Sequence, residues 1–364
     1  MLRKILIGLG IFLGVFISAL IAAPFIFKDK IVAAVKTGIN EKIDAKVNFG
    51  EIHLSAFKHF PQITVGLDSL SVVGRGDFND VILFSVDNFD ISFGLWDIIA
   101  GNYTITSVHA SKPFLNIQVL SDGTANYNVT KLSAEKSTTP STLKIKLQDY
   151  TITNGEMIVD YKPTTYQMHV QGMNHEGIGD MTLDNFDLKT KTHADSLTVT
   201  YGGTTYLRDI KADIITGINV DLLASKYTLK NANATLNDLA LVLDGWISDK
   251  NKEIVMDANF KAPSNKFKDL LSILPSAYTK DFNDVKTTGS FNLSGFVKGV
   301  YDGIHKKYPA FDITTQISDA SVQYPKLPKA ISDINSQIQI ASKTGASNDV
   351  VINIPRFHFK MDNS

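Results

Sequence analysis

The sequence predicts a mainly β protein that begins with a membrane-spanning helix. Three observations support this fold class: an uncharged apolar run near the N-terminus, apolar residues that alternate with polar ones along most of the remaining chain, and turn dipeptides between the alternating runs. Alternation with a period of two gives a strand one apolar face and one polar face. The chain is 44% hydrophobic and 20% charged, so it has enough apolar surface for a large folded protein.

The uncharged run extends from Ile5 to Phe27. As a helix it would be about 35 Å long, enough to cross the roughly 30 Å hydrocarbon core of a bilayer. A cleaved signal peptide is the alternative, but its apolar region usually has only about 7–15 residues. The small residues Ala22 and Ala23 also lack a small partner two positions upstream, and Pro24 follows them directly. Arg3 and Lys4 precede the run, as is typical of a cytoplasmic end. We therefore expect residues 1–28 to be a cytoplasmic stub and a retained transmembrane anchor.

An amphipathic helix is predicted next, over residues 29–46. Ile31, Val35, Ile39 and Ile43 recur every four residues. This spacing places them on one side of a helix, with polar residues on the other side.

The rest of the chain alternates with a period of two and divides into three parts. We expect an N-terminal β region at 47–132, a Ser- and Thr-rich loop at 133–142, and a continuing β-sheet region at 143–364. Helices should be few and short: one turn from Leu95 to Ala100, and a helix from Asn265 to Leu274 that Ser264 caps and Pro275 ends.

Turn dipeptides predict how the strands are connected. Tight turns between neighbouring runs produce a long antiparallel meander. The predicted turns are Asp122-Gly123, Asn154-Gly155, Gly202-Gly203, Asp244-Gly245 and Asp302-Gly303.

The clearest alternating residues should form one continuous apolar face. Residues i and i+2 of a strand lie on the same side, and neighbouring strands about 4.8 Å apart join those sides into one surface. The predicted face consists of Ile63, Val65, Leu67, Leu115, Ile117, Val119, Leu197, Val199, Leu239, Leu241, Phe291 and Leu293.

The periodicity leaves open what covers this face. So few helices cannot cover so many strands. A sandwich or closed barrel, in which sheet covers sheet, is one solution. A curved sheet whose apolar face contacts lipid is the other.

The sequence shows no pattern that predicts catalysis or a cofactor. The net charge is −1 and there are no cysteines, so nucleic-acid binding, thiolate metal sites and a cysteine nucleophile are not expected. The eight histidines are scattered, and we interpret them as ordinary polar or surface residues. Three short motifs occur in the order found in serine β-lactamases, but the serine of the first ends an alternating run where a helix would have to begin: Ser55-x-x-Lys58, Ser290-x-Asn292 and Lys343-Thr-Gly345. We predict a protein that is not an enzyme and has no cofactor and no metal.

The N-terminal third resembles the AsmA family of bacterial envelope proteins. The resemblance is good over about residues 1–130, where an anchor and an amphipathic helix precede several strand motifs. Later motifs match only in pattern. The motifs are Val47-Asn-Phe-Gly50-Glu-Ile-His-Leu-Ser55, Phe60-Pro61-Gln-Ile-Thr-Val65, Gly94-Leu-Trp-Asp-Ile-Ile-Ala-Gly101, Pro113-Phe-Leu-Asn-Ile-Gln118, Ser121-Asp-Gly-Thr-Ala-Asn126-Tyr-Asn128, Asn154-Gly-Glu-Met-Ile-Val-Asp160-Tyr161 and Gly289-Ser-Phe-Asn-Leu-Ser-Gly295-Phe-Val-Lys-Gly299.

The resemblance implies a function and a location. AsmA-like proteins and their TamB relatives resemble bridge-like lipid transfer proteins. They are anchored in the bacterial inner membrane with the N-terminus cytoplasmic and the bulk in the periplasm. A long β-sheet groove is thought to let phospholipid acyl chains move towards the outer membrane. The resemblance therefore favours a groove over a sandwich, implies that the predicted apolar face contacts membrane lipids, and includes outer-membrane or other envelope proteins among the partners.

Two further implications concern the sites and the chain length. The family motifs are structural, so no site residue carries over from them. Family members are often longer, and we expect this chain to be a fragment truncated at its C-terminus. The alternative function is a membrane-anchored β-scaffold that assists outer-membrane protein assembly through exposed strand edges and carries no lipid.

Overall fold

The structure is a computed structural model that describes residues 44–48, 50–55, 62–129, 143–250, 253–263, 266–274, 285–302, 305–324 and 329–361. The predicted transmembrane anchor at 1–28, nearly all of the amphipathic helix at 29–46 and the loop at 133–142 lie outside these residues. Within the described ranges, none of the helices has the length and apolar character needed to cross a membrane.

The prediction of a mainly β protein with few short helices is confirmed. Strand accounts for 73% of the described residues. The chain divides into two compact units, Met1–Pro163 and Thr164–Ser364. The division lies after Pro163, about twenty residues beyond the predicted loop at 133–142.

The described part of the first unit contains seven strands and one short helix. The strands are β1 (Lys46–Asn48), β2 (Ile52–Ser55), β3 (Gln62–Val73), β4 (Ile82–Gly94), β5 (Tyr103–Ser111), β6 (Phe114–Val119) and β7 (Leu143–Tyr161), the helix is α1 (Leu95–Ile99), and 3₁₀ turns lie at Gly76–Phe78 and Lys162–Thr164.

The pairing in the first unit is mixed, so the prediction of an entirely antiparallel meander is wrong here. β1 and β2 both pair antiparallel with β3, which pairs with β4, and β4 pairs with β5 and β6. β7 then runs parallel to β5 and β6. A parallel neighbour requires a long return connection, and the segment 120–142 supplies it.

The predicted turn at Asn154-Gly155 is also wrong, because both residues lie inside β7. Asn154 has a positive φ of 51°, and Lys112, between β5 and β6, has one of 49°. The Lys112 backbone N–H donates to the Thr153 carbonyl at 2.7 Å. The Asn154-Gly155 dipeptide therefore marks a bend in β7, opposite the interruption between its partners β5 and β6. The chain does not reverse direction there.

Where the structure describes it, the second unit is an antiparallel meander of ten strands, as the sequence predicts for this part of the chain. In order, each paired with the next along the chain, they are β8 (Tyr166–Gly179), β9 (Asn185–Tyr201), β10 (Thr204–Asp221), β11 (Lys226–Leu236), β12 (Leu239–Lys250), β13 (Glu253–Lys261), β14 (Lys286–Tyr301), β15 (Ala310–Gln323), β16 (Ile331–Ser342) and β17 (Val351–Met361), with a 3₁₀ turn at Ser347–Asp349.

The turn predictions have mixed outcomes in the second unit. Gly202-Gly203 joins β9 to β10, with φ of 57° and 79°, the two positive values that a type I′ hairpin turn requires. Asp244-Gly245 is not a turn but lies within β12. A Cβ at Gly245 would lie 2.5 Å from the Cα of Ala258, so glycine is needed there for close approach of β13.

The helix predictions also differ in accuracy. α1 matches the predicted turn within one residue. The second helix, α2 (Phe267–Leu271), is much shorter than predicted. Lys266 forms a β-bridge with Ser290, so the helix begins only after it. Ser264 and Pro275 lie outside the described residues.

Candidate functional site

The most extensive surface feature of the second unit is the apolar side of its sheet. The six residues predicted for this part of the chain, Leu197, Val199, Leu239, Leu241, Phe291 and Leu293, do share one side of the sheet. Strand register shows this, because directly opposed residues lie on the same side. The relevant pairs are Leu197 with Ile210, Ala212 with Leu236, Leu236 with Leu239, Leu243 with Phe260, and Phe260 with Gly295. We call this side, from β8 to β17, the apolar face.

Most of the apolar face is only half-buried. Leu197, Val199, Leu241 and Leu293 all keep part of their surface open. In a two-layer sandwich the inner residues of such strands would be buried between the sheets. The burial pattern therefore fits a face that is open over much of its area.

One end of the apolar face is covered. α2 packs against β12 and β14, and the Asn237 side-chain amide donates to the Ser272 carbonyl at 2.7 Å. Leu239 and Phe291 are each only 1% exposed. These two predicted groove residues belong to a small core.

The apolar face is most exposed on β17. This strand is exposed along its whole length, and from Arg356 to Met361 its apolar side chains alternate with basic ones. On the apolar face, Ile352, Phe357 and Met361 of β17 are 62%, 64% and 61% exposed. Large apolar side chains in water are costly when they are contiguous, so β17 is where the face has least protection.

The opposite side of the second unit is polar and rich in ion pairs. Lys298 lies 2.8 Å from Asp257, and Lys230 lies 3.1 Å from Asp187. Hydrogen bonds from Asn219 and Lys230 lower the pKa of Asp187. This side therefore presents charges to water.

A depression of about 450 Å³ lies mainly on the polar side, between β12 and β15, and is lined by side chains that include Asp244, Asn259, Lys261 and Phe296. Asp312, at its edge, accepts hydrogen bonds from Thr314 at 3.1 Å and Gln339 at 2.6 Å. Bonds of this kind are typical of an ordinary polar sheet surface.

A polar patch interrupts the apolar face on β8, β9 and β10. It consists of His175, Thr190, Thr192 and Thr216. His175 Nδ1 and the Thr192 hydroxyl are hydrogen-bonded at 2.8 Å. Burial lowers the pKa of His175, which the neighbouring Glu176 partly offsets.

Sequence reasoning missed this patch by treating all the histidines alike. A signal was present: Thr190 and Thr192 alternate with Lys189 and Lys191, which places the threonines where apolar residues would be expected. The partner of Thr192 on β8 could be found only from the strand register.

The predicted residues of the first unit form a different environment. Ile63, Val65 and Leu67 are 1%, 1% and 2% exposed. Ile63 and Val65 pack in one cluster with Phe93 of β4 and with Leu95 and Ile98 of α1. Enclosed side chains of this kind are a protein core, so we do not include these three in an open groove.

The remaining three predicted residues lie on β6. Leu115 is directly opposite Phe84, which packs against a second cluster of Leu70, Val86 and Ala110. Leu115 and Ile117 are half-buried, and Val119 is 4% exposed.

The described residues contain no group of three or more His, Asp or Glu side chains that could hold a metal ion. Ser55, the serine of the β-lactamase-like order, is the last residue of strand β2 and does not begin a helix. No protein-family profile, curated protein or solved structure matches this chain. The apolar face with its polar patch is therefore the candidate functional site on structural grounds alone.

Proposed function

We propose that this chain is a non-catalytic lipid-binding protein of the bacterial envelope, of the AsmA-like type, whose apolar face binds the acyl chains of phospholipids. Residues 5–27 anchor it in the inner membrane, and the bulk of the chain lies in the periplasm. The lipid moves along the sheet towards the outer membrane and contributes to outer-membrane biogenesis.

The observation that carries this proposal is the half-buried apolar face on a ten-stranded meander. Each methylene that leaves water on such a face contributes about 0.8 kcal/mol. Leucine, isoleucine, valine and phenylalanine recur from strand to strand, so neighbouring positions offer similar binding energy. An acyl chain can therefore bind without being held at one point.

Native mass spectrometry of the detergent-extracted full chain tests the proposal. We expect phospholipid to remain bound to the protein. A matched variant, Val199→Asp, should carry less lipid than the unmodified chain, because an acyl chain lying over position 199 would have to dehydrate the charged group and that part of the face is lost for binding. The control Thr198→Asp, which changes the opposite side of the same strand, should retain it. Extraction of a folded protein without any lipid would contradict the proposal.

A second candidate function rests on β17. Among the described residues, the only strand paired in register with β17 is β16, and β17 is exposed along its length. An exposed strand edge can pair with a strand of another protein, as a scaffold for outer-membrane protein assembly would. Pro355 lacks a backbone N–H and weakens such pairing. A protein that captures unfolded outer-membrane strands but carries no lipid would favour this function over lipid binding.

A further inference from the structure

The polar patch lies in the interior of the apolar face. His175 is opposite Thr192, and Thr192 is opposite Ile214. In the next row, Thr190 is opposite Thr216. Apolar pairs flank both rows: Leu188 with Ile218 on one side and Ala194 with Ala212 on the other. Four polar side chains thus lie together, with apolar residues before and after them along the strands.

The patch is partly open to whatever lies on the face. Thr190 and Thr216 are 6% and 9% exposed and form its floor. His175 and Thr192 are half-buried. A threonine hydroxyl rotates to suit its partner and can donate one hydrogen bond and accept two. The patch can therefore hydrogen-bond a ligand group that reaches His175 and Thr192.

A purely structural role explains Thr216, whose hydroxyl donates to the Gly217 carbonyl at 3.0 Å, but it explains the half-buried pair His175 and Thr192 poorly. Polar side chains on an apolar face require hydrogen-bond partners and gain no burial energy. The exposed neighbours Lys189 and Lys191 show that the same strand has a polar side for such residues. Valine would fill the threonine positions with the same shape and would suit a strand equally well.

We propose that the polar patch binds the ester-linked glycerol region of a diacyl lipid whose chains lie on the apolar face. This inference rests on the proposed function and deepens it. The ester carbonyls accept hydrogen bonds at the patch, and the two acyl chains lie against the flanking apolar residues. The patch gives the lipid a preferred position on a face that otherwise offers many similar ones.

The test compares two lipids with the same headgroup and chain length: dioleoyl phosphatidylglycerol, which has ester carbonyls, and its dialkyl ether analogue, which has none. We expect the full chain in detergent to bind the ester lipid about 2- to 12-fold more tightly, the ratio that one net hydrogen bond produces. In the double variant His175→Leu, Thr192→Val, this preference should disappear while the ether lipid binds as before.

The chain offers a matched control. His169 and Thr198 are also directly opposed on β8 and β9, but on the polar side. The double variant His169→Leu, Thr198→Val should keep the preference for the ester lipid. If the first double variant does not fold, the near-isosteric Thr192→Val alone should still reduce the preference.

The outcomes separate the two proposals. Equal binding of both lipids by the unmodified chain, or a preference that survives in His175→Leu, Thr192→Val, would overturn the role of the patch and leave lipid binding intact. Binding of neither lipid would overturn the proposed function and this inference with it.

Discussion

At the scale of single residues, His175 shows how a polar group is held on an apolar face. Its ring bonds the Thr192 hydroxyl, and its burial lowers its pKa below the ordinary value of 6.5. The unfolded chain therefore takes up a proton at this residue at a higher pH than the folded protein does.

This difference predicts a pH dependence of stability. As the pH falls through about 6.5, His175 becomes protonated in the unfolded state but stays neutral in the folded state. The free energy of unfolding should therefore decrease from this pH down to the lower pKa of the folded protein, and His175 should cause no further loss below it. Urea denaturation at pH 8 and pH 5.5 measures the effect. His175→Gln should remove that part of the decrease, whereas His169→Gln should not; equal decreases in both variants would contradict the explanation.

Gly295 shows how closely the strands of the second unit approach side chains of the apolar face. A Cβ there would lie 2.6 Å from the Phe260 ring and 2.6 Å from the Asp312 carbonyl oxygen. At Gly217 of β10 the nearest atom would be 3.9 Å away.

We expect Gly295→Ala to destabilise the protein by about 1–3 kcal/mol, because the ring and the backbone must move apart. Gly217→Ala should be neutral or stabilise it slightly, since alanine restricts the unfolded chain. Chemical denaturation of the two variants provides the comparison. A larger loss at Gly217 than at Gly295 would show that this packing is not what the structure indicates.

At the scale of elements, the sequence predicts strands better than it predicts their partners. Alternation depends on local residues, so the meander and the shared side of Leu197, Leu241 and Leu293 could be expected. The parallel pairing of β7 with β5 and β6 could not be predicted, because it joins segments that are distant in the sequence. Nor could the coverage of Leu239 and Phe291, which depends on where α2 packs. Period-two patterns describe a face but not what lies on it.

Aspartate substitutions should distinguish the covered end of the apolar face from its open part. Phe291 is 1% exposed, so Phe291→Asp would leave an unpaired charge in a core and lose the ring contacts. We expect the free energy of unfolding to decrease by more than about 3 kcal/mol. Val199 is half-buried, so Val199→Asp should cost only about 1 kcal/mol, a typical value for a mutation.

Thermal unfolding of both variants measures this difference. If Val199→Asp unfolds the protein as severely as Phe291→Asp, the face around Val199 is a closed core and the groove interpretation is wrong there.

At the scale of the whole molecule, the central claim concerns which surface of the second unit contacts lipid. Its strands separate an apolar face from a side with ion pairs such as Lys298–Asp257. The proposed function depends on acyl chains reaching the first side and not the second. It does not require a catalytic residue.

The most direct test is lipid photocrosslinking from single photoreactive residues in the full chain, expressed in bacterial cells. The positions are adjacent pairs on two strands, 198 and 199 on β9 and 292 and 293 on β14, so each pair samples the polar side and the apolar face. We predict that phospholipid crosslinks strongly at 199 and 293 and weakly at 198 and 292. Equal labelling within each pair, or no labelling at 199 and 293 in a folded protein, would contradict the claim that the apolar face binds lipid.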